Sequence, residues 1–124
     1  MLLTAFLIGL AIVGTITVIV LAVLGIKWFV NYCKNKISKN KSHKVVFADM
    51  QEIVNDVIHN KVENAKTLSL TELEKMCSET PYIGAEYDPE TEEVSDYEGF
   101  KVDSVEQQFS QKLEENEGMI VVNA

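Results

Sequence analysis

The sequence predicts a single N-terminal transmembrane α-helix, followed by an amphipathic helix and a small α+β soluble domain. Three observations predict it. Residues 2–26, LLTAFLIGLAIVGTITVIVLAVLGI, hold no charged side chain. Residues 27–44 then carry six lysines and no acid. Residues 45–124 carry the other five lysines and all nineteen acids. The charge is therefore +6 up to residue 44 and −14 beyond it, which together give the net −8. Such a division marks one end for an anionic surface and leaves the other as a self-repelling face. The expected boundaries are a transmembrane helix over 1–28, a lysine-rich juxtamembrane segment over 29–44, an amphipathic helix over 45–66 and an acidic α+β domain over 67–124.

An apolar run of eighteen or more residues is the mark of a spanning helix. Residues 2–26 as a helix would extend roughly 37 Å, against a hydrocarbon core of about 30 Å, and a tilt absorbs the excess. A cleaved signal peptide would need a basic start, a shorter apolar core and a small-x-small cleavage site. The run has no lysine before it and bulky residues and lysines after it. Trp28, Phe29 and Tyr32 fall where an interfacial aromatic belt belongs. Lys27, Lys34, Lys36, Lys39, Lys41 and Lys44 flank only the C-terminal end. The positive-inside rule then places the protein in the cell membrane with its N-terminus outside and its C-terminal domain in the cytosol. The same lysines are expected to meet anionic headgroups of the lipid bilayer. Nucleic acid is the weaker partner for them, because the acidic remainder would repel phosphate. Ala5 and Gly9 form a small-xxx-small pair of the kind that lets helices approach closely.

Within 45–66 the apolar residues follow helical spacing. Asp49 with Glu52 has the form of a capping box. The stripe formed by Met50, Ile53, Val54, Val57, Ile58 and Val62 is either packed on the protein's own domain or offered to a partner helix. It is wider than a two-stranded seam, which favours its own domain. Ser69 and Glu72 open a second helix, expected over about 70–78 and ended by Pro81.

Residues 82–102 read as a hairpin or small meander. Ile83, Ala85 and Tyr87 alternate with polar residues and glycine, and Asp88-Pro89 has the form of a type I turn. Val94, Tyr97, Phe100 and Val102 supply the returning chain. A helix over about 104–116, stopped at Gly118, precedes a short strand over 119–122 that must pair with earlier strands.

Glu86, Asp88, Glu90, Glu92, Glu93, Asp96 and Glu98 form an acidic patch without one lysine among them. A calcium-loop alignment starting at Asp88 fails at both defining positions. Glu93 stands where the turn needs glycine, and Gly99 where a bidentate glutamate belongs. The patch is expected to be a solvated face or a docking strip for basic partners.

No cofactor or metal site is expected. His43 and His59 lack ligand neighbours at metal spacing, and no glycine-rich phosphate loop is present. Cys33 and Cys77 are too few and too far apart for a disulfide framework. No motif points to a catalytic residue or a small-molecule substrate. The expectation is a non-enzymatic membrane protein that presents its acidic domain as a scaffold, adaptor or regulatory subunit, through a protein partner or self-association. The alternatives are a holin-like or toxin-like membrane-active protein and a membrane component of a virion.

Overall fold

In the computed structural model the apolar N-terminal stretch is two elements, not one. The structure describes residues 2–13, 16–60, 71, 75 and 78–123. Helix α1 is Leu2–Val13, and strand β1 is Thr17–Leu24. Twelve helical residues rise about 18 Å, well short of the about 30 Å of a bilayer core. Among the described residues, no helix is long and apolar enough to cross a membrane. The expected transmembrane helix is thereby overturned. So are the membrane localisation and the outside–inside orientation that rested on it. The reason lies in residues 16–20, Ile-Thr-Val-Ile-Val, which are all β-branched. Such side chains crowd the preceding turn of a helix and fit a pleated surface. Apolarity alone does not separate the two.

Helix α2, Ile26–Lys39, follows at once, then strand β2, Lys44–Asp49, and helix α3, Met50–Asn60. Strands β3, Tyr82–Asp88, and β4, Glu93–Val105, make a hairpin. Helix α4, Gln107–Glu115, leads into strand β5, Met119–Val122. The strands form one mixed sheet in the order β1-β4-β3-β2-β5, with β1 parallel to β4 and every other pair antiparallel. The architecture is thus an α+β sheet that takes in both ends of the chain, instead of an anchor with a separate domain.

Strand β2 explains the layering. Its side chains point alternately to the two sheet faces. Val46 and Ala48 join a core with Phe6, Leu7 and Leu10 of α1 and Met50, Ile53 and Val54 of α3. Val45 and Phe47 join a second core with Phe29 and Cys33 of α2 and Phe109 and Leu113 of α4. Helices therefore cover both faces, and β2 is buried on both sides. This is why VVFA reads as a continuous apolar run that merges with the amphipathic helix behind it. The expected helix over 45–66 begins only at Met50. Asp49 caps it by accepting a hydrogen bond from the Gln51 amide at 3.0 Å. The face under α2 is aromatic: Phe47 lies within about 6 Å, centroid to centroid, of Trp28, Phe29, Tyr32, Tyr82, Phe100 and Phe109.

The returning chain of the hairpin is one strand with an irregularity at Ser95–Asp96. Asp96 sits at φ 58°, and the β3–β4 register shifts between Gly84 and Glu86. The extra residue puts Val94 and Tyr97 on the same face, under α1. Residues 71, 75, 78 and 79 are helical. The rest of the helix expected over 70–78, with Cys77, lies outside the described residues. Gly118 closes α4, with its amide on the Leu113 carbonyl at 2.7 Å.

Candidate functional site

Helix α1 presents an apolar wall to a concavity. Thr4, Ala5, Ile8, Gly9, Ile12 and Val13 recur at helical spacing along it. Tyr87, Val94 and Tyr97 stand opposite, with Glu92, Glu93, Ser95 and Asp96 at the rim. The groove between them holds about 550 Å³, within the range of ligand and peptide-anchor sites. Its floor is fixed by Tyr97, whose hydroxyl donates to the Phe6 carbonyl at 2.8 Å. Gly9 makes that approach geometrically feasible, since a Cβ there would meet the Tyr97 hydroxyl and the Val94 carbonyl. The small-xxx-small pair Ala5/Gly9, read from sequence as a helix–helix feature in lipid, serves helix-on-sheet packing.

The rim is acidic because of the hairpin turn. Asp88 accepts hydrogen bonds from the amides of Glu90, at 2.9 Å through its carboxylate, and Glu92, at 2.8 Å through its main-chain carbonyl. Glu92 takes a left-handed conformation, φ 58°. Glu92 and Glu93 are both exposed. No ion pair involves either among the described residues.

The opposite sheet face holds a second polar group, under the C-terminal end of α2. Lys36 Nζ meets Glu98 Oε1 at 2.6 Å, and the Tyr32 hydroxyl donates to the same oxygen at 3.4 Å. His43 stands between Glu86, at 3.8 Å, and Asp88, at 3.5 Å. Burial raises the Glu86 carboxyl above the usual range, and its hydrogen bond with Asp96 adds to this. That hydrogen bond lowers Asp96 in turn. Of the two, Glu86 is the carboxyl that keeps its proton to the higher pH. Asp88 is lowered chiefly by the Glu90 amide. Burial pushes the Tyr32 hydroxyl well up and the Cys33 thiol to about 11.

The expected site residues are thereby divided. Of the acidic patch, Glu86, Asp88 and Glu98 face Lys36 and His43, Glu92 and Glu93 border the groove, Asp96 borders it too while bonded to Glu86, and Glu90 is exposed on the turn. Trp28, Phe29 and Tyr32, expected at a membrane edge, belong to the aromatic core of the sheet. Lys27, Lys34, Lys39 and Lys41 are exposed, Lys44 is half-buried at the start of β2, and Lys36 is paired. Met50, Ile53 and Val54 are buried in the protein's own core. The side chains of Val57 and Ile58 and the whole of Val62 lie outside the described residues. The groove residues of α1 were not read as a site from sequence; only the small pair hinted at close packing there. Among the described residues, no three His, Cys, Asp or Glu side chains are arranged to hold a metal ion.

No family model matches the chain, and no curated protein or solved structure shows significant similarity to it.

Proposed function

We propose that the protein is a non-enzymatic binding module, a scaffold, adaptor or regulatory subunit that grips a basic, apolar partner segment in the groove between α1 and the β3–β4 hairpin. One observation carries this reading: an uncharged helix wall faces a turn whose Glu92 and Glu93 form no ion pair among the described residues. Apolar anchors would fill the α1 side, and lysines or arginines would select the orientation at the rim. The ionisable groups of the other sheet face support binding over catalysis. Lys36, His43, Glu86 and Glu98 are engaged with one another or with Asp96, and these four are not among the residues that line the groove.

The test is a titration of the labelled full chain with a synthetic leucine/lysine amphipathic peptide and with its leucine/glutamate counterpart, read by fluorescence anisotropy. The leucine/lysine peptide binds and the leucine/glutamate peptide does not. Ile12→Ser and the double change Glu92→Gln/Glu93→Gln each weaken binding. Removing equal charge on α4 with Glu114→Gln/Glu115→Gln leaves it unchanged. Equal loss from the α4 variant would reduce the effect to net charge and refute the groove.

A further inference from the structure

The two edges of the sheet are not alike. The β5 edge is four residues long, and shortness is one way in which proteins protect an edge. The β1 edge, TVIVLAVL, is eight residues long and holds neither charge nor proline. Its register with β4 runs from Thr17↔Glu98 to Leu24↔Val105 with no shift, so no bulge twists it away. Val20 is 71% exposed and Val23 50%. None of the usual devices that blunt an edge is present on this strand.

The direction of its free hydrogen-bonding groups follows from one contact. The Leu24 carbonyl accepts from the Glu106 amide at 2.9 Å, so Leu24 turns its main-chain groups toward β4. Alternate residues of a strand turn theirs to alternate sides. Val18, Val20 and Ala22 therefore face β4 as Leu24 does, and Ile19, Leu21 and Val23 face outward from the sheet.

We propose that this edge pairs with the same edge of a second copy of the chain, antiparallel about a two-fold axis at Leu21, to give one continuous ten-stranded sheet. The outward set is self-complementary. Leu21 meets its own counterpart, and Ile19 of each copy meets Val23 of the other, as a closed isologous interface requires. Charge favours the same occupant. Each copy carries a net −8, yet residues 1–26 carry no charged side chain. Two copies joined along β1 therefore set no like charges opposite one another, and the closed axis leaves no long free edge to propagate. This pairing stands independently of the groove, which lies between α1 and the hairpin.

The test is the solution mass of the full chain by sedimentation velocity over a concentration series. The expected mass is twice 13.9 kDa. Val23→Lys, at an exposed position, gives the single-chain mass at concentrations where the parent is dimeric, with an unchanged far-UV spectrum. Adding Ile19→Glu restores the dimer, because each new amine then faces a new carboxylate across the axis. A single-chain mass for the parent at every concentration overturns the proposal. A dimer that Val23→Lys leaves intact, or a mass that grows beyond two chains, overturns it as well.

Discussion

The hydroxyl of Tyr97 donates a hydrogen bond to the main-chain carbonyl of Phe6 at 2.8 Å, joining residues ninety-one apart in sequence. The bond is buried, and it ties the acidic hairpin to the apolar helix. Tyr97→Phe removes it and leaves a buried carbonyl without its donor. The expected loss is about 1–2 kcal/mol of unfolding free energy in urea. Gly9→Ala is expected to cost about 1–3 kcal/mol, because the added methyl meets the same hydroxyl. The two changes are coupled. Gly9→Ala in the Tyr97→Phe background costs less than it does alone, since the hydroxyl is the nearest atom to the new methyl. Strict additivity would contradict the contact.

The end of α4 makes a prediction of opposite signs at adjacent residues. Glu117 and Gly118 both have positive φ, 57° and 86°. Glu117→Gly removes a left-handed cost of about 1–2 kcal/mol, partly offset by the backbone freedom that glycine gives the unfolded chain. A net gain below about 1 kcal/mol is expected from the shift of the urea midpoint. Gly118→Ala adds that strain and also brings a Cβ to 2.7 Å from Glu52 Cβ. A loss of about 2 kcal/mol or more is expected.

Much of the hairpin and the C-terminal end was legible in the sequence, because turn and cap residues announce themselves locally. Asp88-Pro89 marks the turn, and Gly118 marks the end of α4. The N-terminal third was misread because residues 2–26 satisfy the apolar criterion for a span, and composition outweighed the β-branched run 16–20. Strand β2 was hidden for a related reason. Buried on both faces, it lacks alternation and continues the helical pattern of α3. The groove was not legible, because its acidic and apolar walls come from opposite ends of the sequence, Thr4–Val13 and Glu92–Asp96. The odd spacing of Val94 and Tyr97 was the one local trace of the irregularity that places both under α1.

Alkaline pH is expected to weaken the fold. Burial raises the Cys33 thiol from 9.0 to about 11, and it raises the Tyr32 and Tyr97 hydroxyls as well. A group with a raised pKa keeps its proton in the folded state after the unfolded chain has lost it. Stability therefore falls as pH rises, beginning near the unfolded value of about 9 for the thiol. Urea midpoints should be lower at about pH 10 than at about pH 8. Cys33→Ala should reduce that slope. A midpoint that holds constant over this interval would contradict the burial of these groups.

The Glu86–Asp96 pair has an acid-side signature. The Glu86 carboxyl is raised, so its favourable contribution is present at low pH and lost as pH rises through its folded value. Glu86→Gln keeps a neutral hydrogen-bonding group at every pH. Its stability relative to the parent should therefore increase from about pH 4.5 toward neutrality. A relative stability that decreases over that range would show that the attraction of Lys36 and His43 outweighs burial.

The incorporation of the apolar N-terminal stretch into the sheet is the central structural claim, and proton–proton NOEs on the isotopically labelled full chain test it directly. Interstrand contacts between Val18–Val23 and Gly99–Ser104 are expected, with strand-type sequential contacts over Thr17–Leu24. An unbroken helical pattern of amide–amide contacts from Leu2 to Ile26, with no contact to residues 98–105, would contradict it.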